Sequence, residues 1–532
     1  MTLRVVVADR MAPGGLELLA RTPGIEVVNC AGKPAEELAR ALERAQALIV
    51  RSETRVTVDL LNRAPELRVI ARAGIGVDTI DVTAATRRGI AVMNAPGANT
   101  VSAAEHAMGL LLALVRHIPW AAESMRRGEW DRKKYEGTEL RGKTIGIVGL
   151  GRIGGHVSQI ARAFGMTAVA HDPFLSPHRA AELQAKILPL DQLLATADVV
   201  TLHVALSDQT RHLINAPRLA LMKKTAVLIN TARGELVDEA ALAAAIQAGQ
   251  IAGAAVDVFS QEPLPKDSAL RGLERVILTP HLAASTAEAQ DRVSQEIATA
   301  VRDALVAGDL STAVNVPGIG GDVLRRTAPL LGLARRLGRL AGGLLTGEVK
   351  GLEVAYGGKD EEATRPVLLA ALEGLLDAIG AGPVSLVNAP VVAEERGIQL
   401  TRRTGAAEPG FETSIGVRVQ TTAGRVRVAG ALVGSNHGRV VRIDDYHVDV
   451  VPEGWLLVVK NRDVPGVIGR VGTLLGEAGV NIGSWHQARD AEQGGGPALA
   501  AITVDQPPLD GVRRRIEALP DILEVRLAHF GE

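Results

Sequence analysis

Disulfide chemistry is closed to this chain, because its 532 residues include a single cysteine, Cys30. A lone thiol forms no internal bridge and no cysteine-cluster metal site, so no metal is expected, and it fits a reducing compartment, the cytoplasm. Aromatic residues are scarce, at 2%. Core filling therefore falls to leucine, valine, isoleucine and alanine. Neither sign of charge prevails: 59 Lys+Arg against 60 Asp+Glu leave a net charge of −1. That balance argues against a nucleic-acid coat and against a polybasic membrane anchor. No uncharged apolar run approaches the roughly 18 residues of a membrane span, so no transmembrane helix is expected. The opening "MTLRVVVADR" reads as a strand and not as a secretory leader.

Apolar residues make up 47% of the chain, enough for well-buried sheets, and the length calls for about three or four domains. Short apolar strands at 3–8, 25–30 and 47–50 alternate with helical patterns at 13–21 and 34–45, the rhythm of a parallel sheet. Residues 100–130 form one long helical pattern. Thr100 or Ser102 is its expected N-cap, Glu105 falls in its first turn, and Pro119 should kink or split it. Strand-helix units follow at 143–165, 167–172, 197–203, 225–230 and 252–258, with a further strand at 275–278. Together they suggest one doubly wound sheet. Residues 323–345 read as an amphipathic helix with five arginines. It suits packing on its own domain better than a membrane surface. From 454 the order β-α-β-β-α-β describes a ferredoxin-like module of about 75 residues.

Three groups of residues carry chemistry. The first is "KTIGIVGLGRIGGHVSQIARAFG", 143–165, where Gly149, Gly151 and Gly154 make G-x-G-x-x-G between an apolar strand and a helix. A second strand ends at Asp172, 18 residues after Gly154. This is the context of a dinucleotide site: a tight turn at Gly149, close approach of the pyrophosphate at Gly151, and helix against strand at Gly154. An acidic group at the ribose hydroxyls repels a 2′-phosphate, so NAD is expected over NADP. The second group is Arg233, Glu262 and His281, each just past an apolar strand, where loops of an open α/β sheet meet the ligand. Histidine suits removal of a hydroxyl proton as hydride leaves carbon. A carboxylate on its other nitrogen fixes the tautomer, and an arginine holds a substrate carboxylate. The third group is Arg51, Ser52, Arg72, Asn99 and Thr100, which together suit a phosphate.

With these motifs in place, the chain resembles the D-isomer-specific 2-hydroxyacid dehydrogenases. The resemblance spans nearly all 532 residues, through "VRSETRV", "ARAGIGVDTID", "GLGRIG", "NTARGELVDE", "AAVDVFSQEP" and "PHLAAST". At full length it is to the long members that oxidise D-3-phosphoglycerate in the first step of L-serine biosynthesis. The resemblance implies that Arg233, Glu262 and His281 are the catalytic trio. It implies NAD contacts at Ile75, Arg152, Ile153, Asp172, Val204, Thr231, Ala232, Asp257 and Ala284, beside the three glycines. It places Arg51, Ser52, Asn99 and, from a neighbouring subunit, Arg132 at the substrate. A Rossmann-type NAD domain, 97–284, is implied within a flavodoxin-like substrate domain of residues 1–96 and 285–317, with closure of the two lobes expelling water. Ala283 and Ala205 stand where the family usually has glycine and proline.

Residues 318–452 resemble the α+β intervening domain of the long members, and Arg439, Arg442, His437 and His447 there suggest either an anionic effector site or a solvated edge. Residues 453–532 resemble an ACT domain, a family of amino-acid sensors, through "NRDVPGVIGRVGTLLGEAGVNIGSW". Asn461, Asp463 and Asn481 are its implied effector residues, and L-serine its implied ligand. Tyr or His often stands where Asn461 does. A homotetramer is implied by the resemblance alone. Two other readings fit the trio: a glyoxylate or hydroxypyruvate reductase of the same family, and an NADH-sensing corepressor. Neither accounts for the 215 residues after 317.

Overall fold

The computed structural model describes residues 2–531 except 176, 317–320, 406, 435–436 and 490–495. The chain divides into two compact units, one of residues 1–10, 17–94 and 297–532, the other of residues 11–16 and 95–296.

In the first unit, Ile25–Asn29, Leu3–Val7, Ala47–Val50, Val69–Arg72 and Ala91–Asn94 form a five-stranded parallel sheet in that order. Ala47–Val50 is wholly buried, as expected of a parallel strand covered on both faces. The same unit contains a six-stranded mixed sheet and a four-stranded antiparallel one. The helix Gly321–Leu344 packs its buried Leu330, Leu333, Leu337 and Leu340 into the core of this unit. It crosses the helix Thr364–Ala378 at close range. A Cβ on Gly338 would meet the Ala371 carbonyl oxygen at 2.0 Å, and one on Gly374 would meet that of Arg335 at 1.9 Å. Two of its arginines pair with this neighbour: Arg335 with Glu373 and Arg339 with Asp377, each at 2.9 Å. The amphipathic pattern thus serves internal packing.

The second unit is built on a seven-stranded parallel sheet. Its order is Val276–Leu278, Gly253–Val256, Val227–Asn230, Val199–Leu202, Thr144–Val148, Thr167–His171 and Lys186–Ile187. The chain order reverses between Val199–Leu202 and Thr144–Val148. A ligand crevice opens at such a switch point, beyond the carboxyl ends of the strands. The two-residue strand Lys186–Ile187 is too short to show a periodicity in sequence. The long pattern at 100–130 is two helices, Thr100–Val115 and Ile118–Arg126, meeting at 62°. His117 between them lies in the left-handed region, and Pro119 occupies the first turn of the second helix, where its missing N–H costs nothing. The N-cap is Asn99, neither Thr100 nor Ser102, and its side chain makes no capping bond. Ser102 instead hydrogen bonds Thr286 at 2.6 Å. Among the described residues no single helix is long and apolar enough to cross a membrane, and no metal-binding cluster is found.

Candidate active site

The strand Thr144–Val148 ends in the glycine turn. Gly149 has φ +91°, and a Cβ there would strike the carbonyl oxygen of His203 at 2.6 Å and Val204 at 2.7 Å. The helix Arg152–Ala163 begins at once, with Gly151 as its extended N-cap. At Gly154 a Cβ would lie 2.0 Å from the Gly149 carbonyl oxygen, so only glycine lets the helix press on the turn. A Cβ on Gly151 meets nothing within 4 Å. The turn therefore has an open side beside the unpaired amides of a helix start, which suits a pyrophosphate. Asp172, at the exit of the neighbouring strand, accepts the amides of Leu150 and Phe174 at 3.0 Å each. It braces the glycine turn and keeps lone pairs for a diol.

Further along the crevice edge, Thr231 is 8% exposed, and its buried hydroxyl has no hydrogen-bond partner. A polar atom left so is completed by a ligand or by water. Arg152 is exposed at the helix start and Ile153 is half-buried. The Ala284 carbonyl accepts the Gln290 amide at 2.8 Å. Open glycine turn, orphaned hydroxyl and braced carboxylate together fit NAD. Burial pushes His203 down to about 4, so it stays neutral there. Replacing Asp172 by Asn is expected to lower the preference for NAD over NADP by about tenfold, read as the ratio of kcat/KM values. An unchanged ratio removes Asp172 from cofactor selection.

The trio stands on the loops after Val227–Asn230, Gly253–Val256 and Val276–Leu278. Fully buried Asn230 shapes the first loop. Its Oδ1 accepts the Ala232 amide at 3.1 Å, and its Nδ2 donates to the Arg233 carbonyl at 2.8 Å. Gly234 lets this loop lie on the second, since a Cβ would meet the Phe259 carbonyl carbon at 1.9 Å. Arg233 donates from Nη1 to the Ala232 carbonyl at 2.7 Å. His281 Nδ1 and Glu262 Oε2 are 2.8 Å apart, and Glu262 Oε1 accepts the Phe259 amide at 3.1 Å. Burial works to raise the Glu262 carboxyl, but the hydrogen bonds from His281 and Phe259 outweigh it and hold it below the ordinary value. An ionised Glu262 keeps the Nδ1 proton on its own side, which leaves Nε2 as the acceptor.

Asp257 anchors the third loop. It is wholly buried, and it accepts the Thr279 hydroxyl at 2.6 Å and the amides of Leu282 at 2.8 Å and Ala283 at 2.9 Å. Burial alone would raise its pKa, but these donors, with His106, hold it low. The resemblance implies a cofactor contact for Asp257; its carboxylate is engaged by the loop that carries His281. Sequence reading passed over Asn230 and His106. A polar residue ending a buried strand was the available signal for the first, and none marked the second.

The remaining candidates are divided between the two units. Asn99 and Thr100 belong to the same unit, and Asn99 Oδ1 and the Thr100 hydroxyl are buried without partners. Arg132 is exposed. Arg51, Ser52, Arg72 and Ile75 belong to the other unit. The Arg51 side chain donates to the Arg10 carbonyl at 3.1 Å, and the Ile75 carbonyl accepts Asn94 Nδ2 at 2.6 Å.

In the same unit the suggested anion site is already neutralised. Glu408, 1% exposed, accepts Arg442 Nε at 2.8 and 2.9 Å and Nη2 at 2.6 Å, and it pairs with Arg427 at 3.5 Å. Arg439 faces Asp449 at 3.5 Å. Spacing could not reveal Glu408, which comes from a distant loop. In the C-terminal sheet Asn461 is 2% exposed, and its Nδ2 donates to the Arg462 carbonyl at 2.7 Å. Asp463 pairs with Arg489 at 2.9 Å, and Asn481 Nδ2 donates to Asp505 at 2.8 Å.

Comparison with known proteins is consistent along the chain. Residues 108–283 match the D-isomer specific 2-hydroxyacid dehydrogenase NAD binding domain, 326–444 the D-3-phosphoglycerate dehydrogenase intervening domain, and 455–521 the ACT domain. The chain is 41% identical over 521 residues to D-3-phosphoglycerate dehydrogenase of Synechocystis sp., covering 98% of this chain and 93% of that one. It is 43% identical over 526 residues to that of Mycobacterium bovis, with 98% of each covered. The crystal structure of D-lactate dehydrogenase from Aquifex aeolicus, complexed with NAD and lactic acid, matches with a TM-score of 0.51 at 29% identity. That match covers 58% of this chain and 97% of the other.

Proposed function

The chain belongs to the D-3-phosphoglycerate dehydrogenase family, and from that premise we propose how its own residues divide the work. The reaction is oxidation of D-3-phosphoglycerate to 3-phosphohydroxypyruvate with NAD, the first step of L-serine biosynthesis. When bound, NAD supplies the hydride acceptor. His281 Nε2 takes the proton of the C2 hydroxyl as the hydride leaves that carbon. Glu262, on Nδ1, holds the tautomer and steadies the imidazolium that forms. Arg233 holds the substrate carboxylate and polarises the new carbonyl. Gly149, Gly151, Gly154, Arg152, Ile153, Asp172, Val204, Thr231, Ala232, Asp257, Ala284 and Ile75 serve the cofactor. Arg51, Ser52, Asn99 and Arg132 are the candidates for substrate recognition. The observation that carries this reading is the 2.8 Å contact between His281 Nδ1 and Glu262 Oε2 on neighbouring loops of a sheet with an open glycine turn.

The division into a substrate domain (1–96 with 285–317), an NAD domain (97–284), an intervening domain (318–452) and an ACT domain (453–532) belongs to the same proposal. So do a cytoplasmic homotetramer and L-serine as the effector of the ACT module. The Asp463–Arg489 pair meets a serine ammonium group in competition. Arg489 is 71% exposed, so displacing it costs no more than about 1 kcal/mol. NADH formation with D-3-phosphoglycerate is expected to slow in millimolar L-serine, and Asp463→Ala should raise the serine concentration for half-inhibition by about tenfold or more. Activity indifferent to serine demotes the module to assembly or to another ligand. No activity with phosphoglycerate, but reduction of glyoxylate or hydroxypyruvate by NADH, overturns the substrate assignment.

A further inference from the structure

The loop that carries His281 is held in a conformation it does not favour by itself. His281 has φ 54°, a left-handed backbone that a side chain with a Cβ enters uphill. Its amide donates to the carbonyl oxygens of Asp257 at 2.8 Å and Thr279 at 3.0 Å. The next two amides, of Leu282 and Ala283, end on the two carboxylate oxygens of Asp257, and the Thr279 hydroxyl reaches the same group. One carboxylate therefore grips the loop on both sides of the histidine.

These donors all belong to the loop itself. A further donor comes from elsewhere. On the helix Thr100–Val115, His106 Nε2 lies 3.2 Å from Asp257 Oδ1 and 3.4 Å from the Thr279 hydroxyl. Its side chain is 23% exposed, whereas Asp257 is wholly buried. A buried carboxylate is stable in one place only when donors surround it. His106 ties that carboxylate to a helix whose neighbouring residues Ala104, Ala107 and Met108 are in the core of this unit. The loop is thereby referenced to the body of the sheet.

We propose that His106 is a positioning residue for the dehydrogenase step: acting through Asp257, it fixes the loop 279–283 and so the direction in which His281 presents Nε2. The inference rests on His281 as the proton acceptor proposed above. Without the His106 donor, Asp257 keeps its bonds to the loop but loses its tie to the helix. The imidazole then samples orientations in which Nε2 points away from the hydroxyl. Misalignment of this kind weakens the transition state and leaves substrate binding nearly intact.

The test compares three variants of the full chain, each characterised by kcat, by KM for phosphoglycerate and NAD, and by Tm. His106→Leu and His106→Met remove the donor, and Met comes closer to the ring's volume. His106→Gln restores an N–H of similar reach. The expected result is a kcat about thirtyfold lower in the Leu and Met variants with both KM values within about twofold of the parent, and recovery to within about threefold in the Gln variant. Unchanged kcat in the Met variant overturns the proposal. So does an equal loss in the Met and Gln variants, which marks a packing role. His281→Asn in the parent separates this proposal from the reading beneath it. If that variant retains its activity, the base assignment fails first. If it is inactive while His106→Met is fully active, only the positioning role falls.

Discussion

Replacing His281 by Asn is expected to lower kcat by about three to four orders of magnitude while KM for NAD changes little. Asn keeps a polar group near Glu262 but offers no basic nitrogen to the substrate hydroxyl. The cause is specific to the acceptor. Glu262 holds Nδ1 at 2.8 Å, so Nε2 is the ring atom left for chemistry. Glu262→Gln should cost less, about a hundredfold, because the imidazole remains and loses only its orienting charge. Steady-state rates of NADH formation check both variants. A loss within about tenfold for His281→Asn rejects the histidine as the base. A loss for Glu262→Gln as deep as that for His281→Asn would mean that Glu262 does more than orient the ring.

The second large effect separates two glycines of one motif. Gly151→Val is expected to leave folding intact, within about 1 kcal/mol, because its Cβ meets nothing within 4 Å. The same open space is where the pyrophosphate is proposed to lie, so KM for NAD should rise about a hundredfold or more. Gly154→Val is expected to do the reverse. Its Cβ would lie 2.0 Å from the Gly149 carbonyl oxygen, and forcing helix and turn apart should cost about 3 kcal/mol of stability. Thermal unfolding and NAD titration on both variants distinguish the two positions. Normal NAD affinity in Gly151→Val places the pyrophosphate elsewhere. Normal stability in Gly154→Val contradicts the close contact of helix and turn.

The motif illustrates how far a sequence carries. Its spacing announces a strand, a turn and a helix, because glycine at fixed offsets answers local steric demands that neighbours in the chain impose. It also separates the glycine that leaves room for a ligand, Gly151, from the one that brings the helix close, Gly154. What the fold adds is the atom that Gly154 meets, the carbonyl oxygen of Gly149. The interrupted helical pattern at 100–130 behaves similarly. Pro119 signalled a break, and the break falls at His117, whose left-handed backbone turns the chain by 62° between the two helices. The N-cap falls at Asn99 because the helix already begins at Thr100; Ser102 lies inside its first turn, where its hydroxyl meets Thr286.

The arginines of the intervening segment show the opposite limit. Arg439, Arg442, His437 and His447 fall in one short stretch and invite an anion. The buried carboxylate of Glu408 already takes Arg442 with three contacts. A cation read from sequence is a charge without a partner, and its partner is chosen by the fold. The same holds for Asp463 with Arg489 and for Arg335 and Arg339 of Gly321–Leu344, whose partners lie on the neighbouring helix.

What the sequence determined by itself was the set of features written in short range: parallel strands as apolar runs, the dinucleotide turn, an acidic residue after the second strand, and three polar groups at strand exits. Each follows from the steric or hydropathic needs of residues close together in the chain. Only the tertiary structure decided which of those groups meet. Glu262 and His281 share a hydrogen bond because two strand exits lie side by side. Asp257 becomes the anchor of the histidine loop because its burial obliges it to collect donors, and one of them, His106, arrives from a helix remote in sequence. A buried charge must find its partners wherever the packing brings them, and no local pattern records where that is.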